Sequence, residues 1–124
     1  MVSDLRWHFR PFPGLEICAA HGGWYLPSYR ARSDYGRNRF SEGSKIKKHA
    51  TEYLRQIYVD SMVFTQQGLR HLVAQCGVGR IMIETDYPLP WSTTVDHVLK
   101  TPGLSDTDKR AILGAMPAGL LKLT

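Results

Sequence analysis

The sequence predicts an α/β fold built on parallel strands, and three stretches carry that prediction. The first is Ile81-Met82-Ile83-Glu84-Thr85-Asp86-Tyr87-Pro88, an apolar run closed by a carboxylate and a proline. Apolar, β-branched residues followed by a turn breaker read as a buried strand of a parallel sheet, with Asp86 where the strand ends. The second is Leu15-Glu16-Ile17-Cys18-Ala19-Ala20, which ends on His21 and runs into Gly22-Gly23, residues that let a backbone or ligand come close. The third is a strand-helix-strand unit in which Gln56-Ile57-Tyr58-Val59-Asp60 leads through a helix into the Ile81 strand. Its crossover should be right-handed and set the second and third strands side by side and parallel. Parallel sheets keep their chemistry at the carboxyl ends of the strands, so two polar strand endings predict one active-site rim.

Taken in order, residues 1 to 10 show no clear period and read as the end of a helix cut short by Pro11 and Pro13. After His21, Trp24-Tyr25-Leu26-Pro27-Ser28-Tyr29 starts a helix, with Pro27 tolerated only in a first turn. Residues 33 to 48 are polar, glycine-bearing and without apolar period, which predicts a long surface loop. A short helix over residues 50 to 55 leads into the second strand. Thr65 then caps a stronger helix in which Leu69, Leu72, Val73 and Cys76 recur at three- and four-residue steps, and Gly77 stops it. Residues 94 to 100 read as helix, Pro102-Gly103 breaks it, and Ser105-Asp106-Thr107-Asp108 resembles a capping box for residues 109 to 115. The closing Leu120-Leu121-Lys122-Leu123 is expected to pack back on the sheet.

Composition sets the class. Apolar residues at 43% can form a core and charged residues at 22% can cover it, and no apolar run approaches the roughly 20 residues of a membrane span. Membrane insertion is therefore not expected. The N-terminus lacks the apolar core of a signal peptide, so a cytoplasmic location is expected. Cys18 and Cys76 form no C-x-x-C pair and read as buried free thiols.

Cys18-Ala19-Ala20-His21-Gly22-Gly23, Tyr58-Val59-Asp60-Ser61, and Gly77-Val78-Gly79-Arg80-Ile81 running into Thr85-Asp86-Tyr87-Pro88 stand in an informative order. With these motifs in register the chain resembles the C-terminal part of the amidohydrolase-related family, from about Phe12 to Leu123. The family comprises metal-dependent hydrolases and decarboxylases on a TIM barrel, among them the aminocarboxymuconate-semialdehyde decarboxylase-like members. A (β/α)8 barrel typically needs about 250 residues, whereas this chain has 124. The resemblance therefore implies an incomplete TIM (β/α)8 barrel of about the last three β/α units, with residues 1 to 124 forming one C-terminal segment. Two copies would supply only six strands.

The same resemblance assigns roles. Asp86 matches the family's metal-binding aspartate at the end of the last strand, a hard oxygen ligand that can also hold a metal-bound water. The plainer reading makes it a turn residue before Tyr87-Pro88. His21 matches the active-site histidine after the sixth strand, an acid/base group whose unperturbed pKa of about 6.5 leaves both protonation states accessible. Otherwise it is a strand-end histidine bonded to backbone. Arg32 matches an arginine that reaches a substrate carboxylate in a neighbouring subunit, a task suited to a guanidinium fork. It also sits among Arg30, Arg37, Arg39, Lys45, Lys47 and Lys48, and charge-rich segments are commonly just solvated. Trp91 is a candidate for the pocket mouth or for the barrel's outer face.

Departures from the family pattern matter too. Trp24 stands where a third glycine is common, Glu84 where glycine often precedes Thr85-Asp86, and Met116-Pro117 replaces an asparagine-alanine pair. The family's His-x-His pair and its fifth-strand histidine have no counterpart, and His8, His49, His71 and His97 do not fit those places, His71 and His97 being expected on surface faces. A catalytic zinc ordinarily takes three protein ligands plus water. Zinc or another divalent metal is thus expected only if the missing ligands are supplied, by an N-terminal partner segment or a homo-oligomer.

The function that follows is a metal-dependent decarboxylase or hydrolase acting on a small carboxylate, inactive as an isolated chain. Two other classes stand beside it. A net charge of +5 and a pI near 9.4 suit a polyanion-binding domain, with residues 30 to 48 as the footprint against nucleic acid. Unpaired strand edges suit a non-catalytic remnant that docks on a partner.

Overall fold

The computed structural model describes residues 14 to 39, 49 to 89 and 94 to 123. The helix end read for residues 1 to 10, Trp91, and residues 40 to 48 of the expected loop lie outside them.

Three parallel strands, β1 (Ile17–Ala19), β2 (Ile57–Asp60) and β3 (Ile81–Met82), form a sheet in the order β1-β2-β3. Ala19, Val59 and Ile81 stand at one level across it, so the second and third strands pair as the crossover rule requires. Helix α1 (Leu26–Arg39) follows β1, with Pro27 in its first turn where a missing N–H does no harm. Helix α2 (Ala50–Leu54) precedes β2, α3 (Gln66–Cys76) links β2 to β3, and α4 (Thr94–Lys100), α5 (Asp106–Arg110) and α6 (Met116–Leu121) follow.

Residues 33 to 39 belong to α1, which corrects their reading as loop. Periodicity failed there because α1 carries no apolar stripe; polar contacts hold it instead. Arg30 Nη1 donates to the Gln75 carbonyl at 2.9 Å, and Ser28 Oγ and His71 Nε2 share a hydrogen bond at 3.0 Å, tying α1 to α3. The Asp34 carboxylate accepts the Thr51 hydroxyl at 2.6 Å and the Ala50 amide, so α1 caps the start of α2.

The stronger helices follow their sequence signals. Thr65 Oγ1 accepts the Gly68 amide at 3.0 Å and Gly77 ends α3 at φ 83°, a conformation that favours glycine. At α5 the Ser105 hydroxyl accepts the Asp108 amide at 3.1 Å while the Asp108 carboxylate accepts the Ser105 amide at 2.9 Å. Those bonds hold the Asp108 carboxyl below the usual carboxylate range.

Between α5 and α6 the backbone widens into a π turn over Ala111–Ala115. In that pattern Met116 donates to Ala111, and the next donor in line for the Ile112 carbonyl is Pro117, which has no N–H. The Ile112 carbonyl accepts the Ile83 amide at 3.0 Å instead, so the proline seen as a departure lets this segment cover the edge beyond β3. Leu121 and Leu123 are exposed, while Leu120 is half-buried and α6 lies against β3, so the expectation that the closing leucines pack on the sheet holds only in part. The π turn before α6 reaches the core through Ile112.

One face of the sheet meets the helices. Val59 and Ile81 join Leu69 and Leu72 of α3, Val98 of α4, Leu104 and Ile112 in one core. Strand side chains alternate faces, and Glu16, Cys18, Tyr58 and Arg80 share the other face. There the Tyr58 hydroxyl donates to Glu16 Oε1 at 3.4 Å and the Arg80 guanidinium lies 4.6 Å from the Tyr58 ring centre. Cys18 is exposed as a residue, its thiol only partly sheltered, rather than buried as expected; Cys76 is half-buried. His97 is half-buried on α4 rather than on a surface face, and burial holds its imidazole pKa below the usual value. No described helix is long and apolar enough to cross a membrane.

Removing the α3 cap should be measurable: Thr65→Ala leaves the Gly68 amide without its acceptor and should lower unfolding free energy by about 1 kcal/mol in urea titrations. An unchanged midpoint would show that α3 does not depend on the cap.

Candidate active site

All three strands run in the same direction, so the residues that follow them gather along one edge of the sheet. His21 follows β1 by two residues, Asp60 closes β2, and Asp86 lies four residues beyond β3. His21 and Asp86 are therefore on the same carboxyl-terminal edge, with Asp60 on the strand between them.

The turn after β1 is unusual. His21, Gly22, Gly23 and Trp24 have φ of 54°, 63°, 71° and 56°, four left-handed residues in succession, two of them with side chains. A Cβ on Gly22 would stand 2.4 Å from Val63 Cγ1. Glycine is thus required there by both conformation and space. Beneath the turn sits Asp60, only 3% exposed. Its Oδ2 accepts the His21 amide at 2.7 Å, and its Oδ1 accepts the Gly22 amide at 2.8 Å and the Met62 amide at 2.9 Å. The His21 side chain is exposed at the edge.

The turn after β3 is built on similar lines. Asp86 has φ 55°, and Glu84 Oε1 accepts the amides of Thr85 at 2.9 Å and Asp86 at 2.8 Å. The carboxylate that replaces a common glycine is thus folded back onto its own turn. Asp86 is half-buried, and its carbonyl accepts the Leu89 amide at 2.8 Å.

Large apolar side chains ring this edge. Trp24 is 74% exposed, Phe64 66% and Tyr87 89%, one following each strand. Trp24 and Phe64 both adopt φ 56°, a conformation that costs a side-chain-bearing residue roughly 1 kcal/mol or more. Between them, Ser61 is wholly buried, and its hydroxyl has no hydrogen-bond partner among the described residues.

Arg32 lies elsewhere. It is exposed on α1, where it lines an open groove of about 610 Å³ with Tyr25, Tyr29 and Ser33; neither His21 nor Asp86 borders that groove. The two tyrosines meet edge to face at 5.9 Å. The edge therefore collects His21 and Asp86 but not Arg32, and Trp91 is outside the described residues.

Among the described residues no group of three or more His, Cys, Asp or Glu side chains is arranged to hold a metal ion. Asp86 and His21 alone fall short of the three protein ligands a catalytic zinc ordinarily takes, so these residues do not by themselves fit a bound metal. Sequence reasoning missed Asp60 as a site residue. The signal was present, because the rule that singled out His21 and Asp86 at strand ends applies equally to the carboxylate that closes β2.

The amidohydrolase family model matches residues 2–123, and the chain belongs to that family. The 2-amino-3-carboxymuconate-6-semialdehyde decarboxylase of Dictyostelium discoideum is 31% identical over 110 residues, 86% of this chain and 31% of that protein. Among solved structures, the 5-carboxyvanillate decarboxylase of Sphingomonas paucimobilis aligns at a TM-score of 0.83 and 26% identity, over 94% of this chain and 36% of that one. A dihydroxybenzoic acid decarboxylase of Polaromonas, solved with bound manganese and the inhibitor 2-nitroresorcinol, aligns at 0.80 and 26% identity over 93% and 36%. The chain thus spans about a third of the length of these relatives.

Cys18 gives this face of the sheet a chemical reporter. Partial burial, then the Asp60 and Glu84 carboxylates, push its thiol up from 9.0 to about 11. The thiolate is therefore scarce near neutrality and grows only as pH rises toward that value. Thiolate is the nucleophile, so alkylation of Cys18 at pH 7.5, followed by peptide mass spectrometry, should lag an unperturbed thiol by more than about tenfold and recover steeply above pH 10. Rapid labelling at neutral pH would show that burial and the two carboxylates do not hold the thiol protonated.

Proposed function

We propose that this chain is the part of an amidohydrolase-family decarboxylase that carries its last three β/α units, acting on a small carboxylate substrate in the cytoplasm. One observation supports the reading above the others: His21 and Asp86 follow the carboxyl ends of parallel strands in a chain similar to decarboxylases in both sequence and fold. The same relatives lend no support to nucleic-acid binding as the function of the basic α1 segment.

In the proposed reaction the bond between the substrate carbon and its carboxylate breaks and the electron pair stays on that carbon. Carbon dioxide leaves, and the protonated His21 imidazole supplies the proton that the carbon takes up. An imidazole is suited to this because it holds a proton near neutrality and releases it to a stronger base. Arg32 would orient a substrate carboxylate from a neighbouring copy, and Trp91 would line the mouth. The aromatic rim of Trp24, Phe64 and Tyr87 would exclude water from the developing carbanion.

A divalent metal, zinc or manganese, is proposed as the cofactor, with Asp86 as one oxygen ligand. When bound, such an ion polarises the substrate and stabilises developing negative charge. The other ligands would come from a partner segment, and the chain alone is proposed to be inactive.

Two measurements check this. Elemental analysis of the purified chain should find well under one equivalent of zinc or manganese; a stoichiometric ion would contradict the shortage of ligands. Grafted in place of the matching third of the Dictyostelium relative, the chain should sustain carbon dioxide release that His21→Asn lowers at least about 100-fold, the scale of general acid catalysis. A graft that turns over equally well without the imidazole would remove His21 from the chemistry.

A further inference from the structure

Asp60 has no role in the proposed chemistry, yet it makes three of the hydrogen bonds that define the edge. Both carboxylate oxygens are used. One accepts the His21 amide at 2.7 Å, and the other is shared by Gly22 at 2.8 Å and Met62 at 2.9 Å. Successive backbone N–H groups in a turn can converge on one anion. Here the amides of His21 and Gly22 converge on the protein's own carboxylate, 3% exposed, while those of Gly23 and Trp24 donate to the carbonyls of Ala20 and His21.

The energetics make that carboxylate the controlling element. His21 and Trp24 hold a positive φ, which is unfavourable for a residue with a side chain. Hydrogen bonds to a charged acceptor are stronger than those to a neutral one, and the two that Asp60 accepts from His21 and Gly22 work against that strain. Packing fixes the turn from the other side, since Gly22 lies against Val63 and Leu72, and Gly23 against Val59. Met62 adds a third amide from the loop that leaves β2, so one carboxylate joins the ends of β1 and β2.

We propose that Asp60 is a positioning residue: its carboxylate holds the left-handed turn from which the His21 imidazole projects, and so fixes where that imidazole stands along the sheet edge. The proposal rests on the reading of His21 as the proton carrier for its functional meaning, but the link between Asp60 and His21 is measurable without turnover.

The test is NMR on the whole chain, comparing wild type with Asp60→Asn and Asp60→Glu. The isosteric amide should shift the amide protons of His21, Gly22 and Met62 upfield and accelerate exchange of the Gly22 amide at least about tenfold, as expected for loss of a strong local bond. The His21 ring resonances should move or broaden, while those of His71 and His97, on α3 and α4, stay in place. Asp60→Glu, which keeps a charged acceptor, should return the His21 ring signals toward wild type. Two results would overturn the proposal: His21 ring signals unchanged in Asp60→Asn, or all three histidines moving together, which would make Asp60 a general fold element. If Asp60→Asn does not fold, the glutamate variant decides, since His21 signals scattered as in a free peptide despite a folded core would also overturn it. Failure of the His21→Asn graft alone would instead remove the proton-carrier reading and leave the Asp60 clamp intact.

Discussion

The carboxylate of Asp60 is the constraint on which the candidate site depends. It closes the central strand, is buried, and spends both oxygens on backbone amides rather than on solvent or a substrate. A buried charge is tolerated when it is fully hydrogen-bonded, and three amides meet that condition without a cation. The consequence is geometric. The turn after β1 has its position set by the end of β2, so the histidine it carries is registered to the sheet rather than to a free loop.

The turn after β3 repeats the device with a local carboxylate. Glu84 accepts the amides of Thr85 and Asp86, and Asp86 stands in a left-handed conformation as His21 does. In both places a short acidic brace offsets strained backbone just beyond a parallel strand. The two braces differ in reach: Asp60 acts across strands, Glu84 within its own turn. A site braced across strands moves only if the sheet moves, whereas one braced locally can shift with its loop.

Much of this was legible in the sequence. The three strands, the cap at Thr65, the stop at Gly77 and the capping box at Ser105 follow from local chemistry and appear where that chemistry puts them. The α1 extension was not legible, because a helix without an apolar stripe gives no period; its anchors, Arg30 to Gln75 and Asp34 to Thr51, join residues far apart in the chain. The exposure of Cys18 escaped for a related reason. A strand sequence shows that two faces exist but not whether a second layer covers both. Asp60 was visible as a strand-end carboxylate, yet its work depends on amides 38 and 39 residues away.

The uncovered face of the sheet bears on how these pieces act together. Glu16, Tyr58 and Arg80 satisfy one another there, the phenol donating to the carboxylate and the guanidinium lying over the ring. The tyrosine thus links the two charges, taking the carboxylate at its hydroxyl and the guanidinium on its ring. Cys18 stands on the same face, under the influence of Asp60 and Glu84, the two carboxylates that brace the site turns. Burial and these two carboxylates together raise the Cys18 thiol, so the face and the edge are linked: the groups that brace the turns at the strand ends are felt by a side chain on the adjoining face of the sheet.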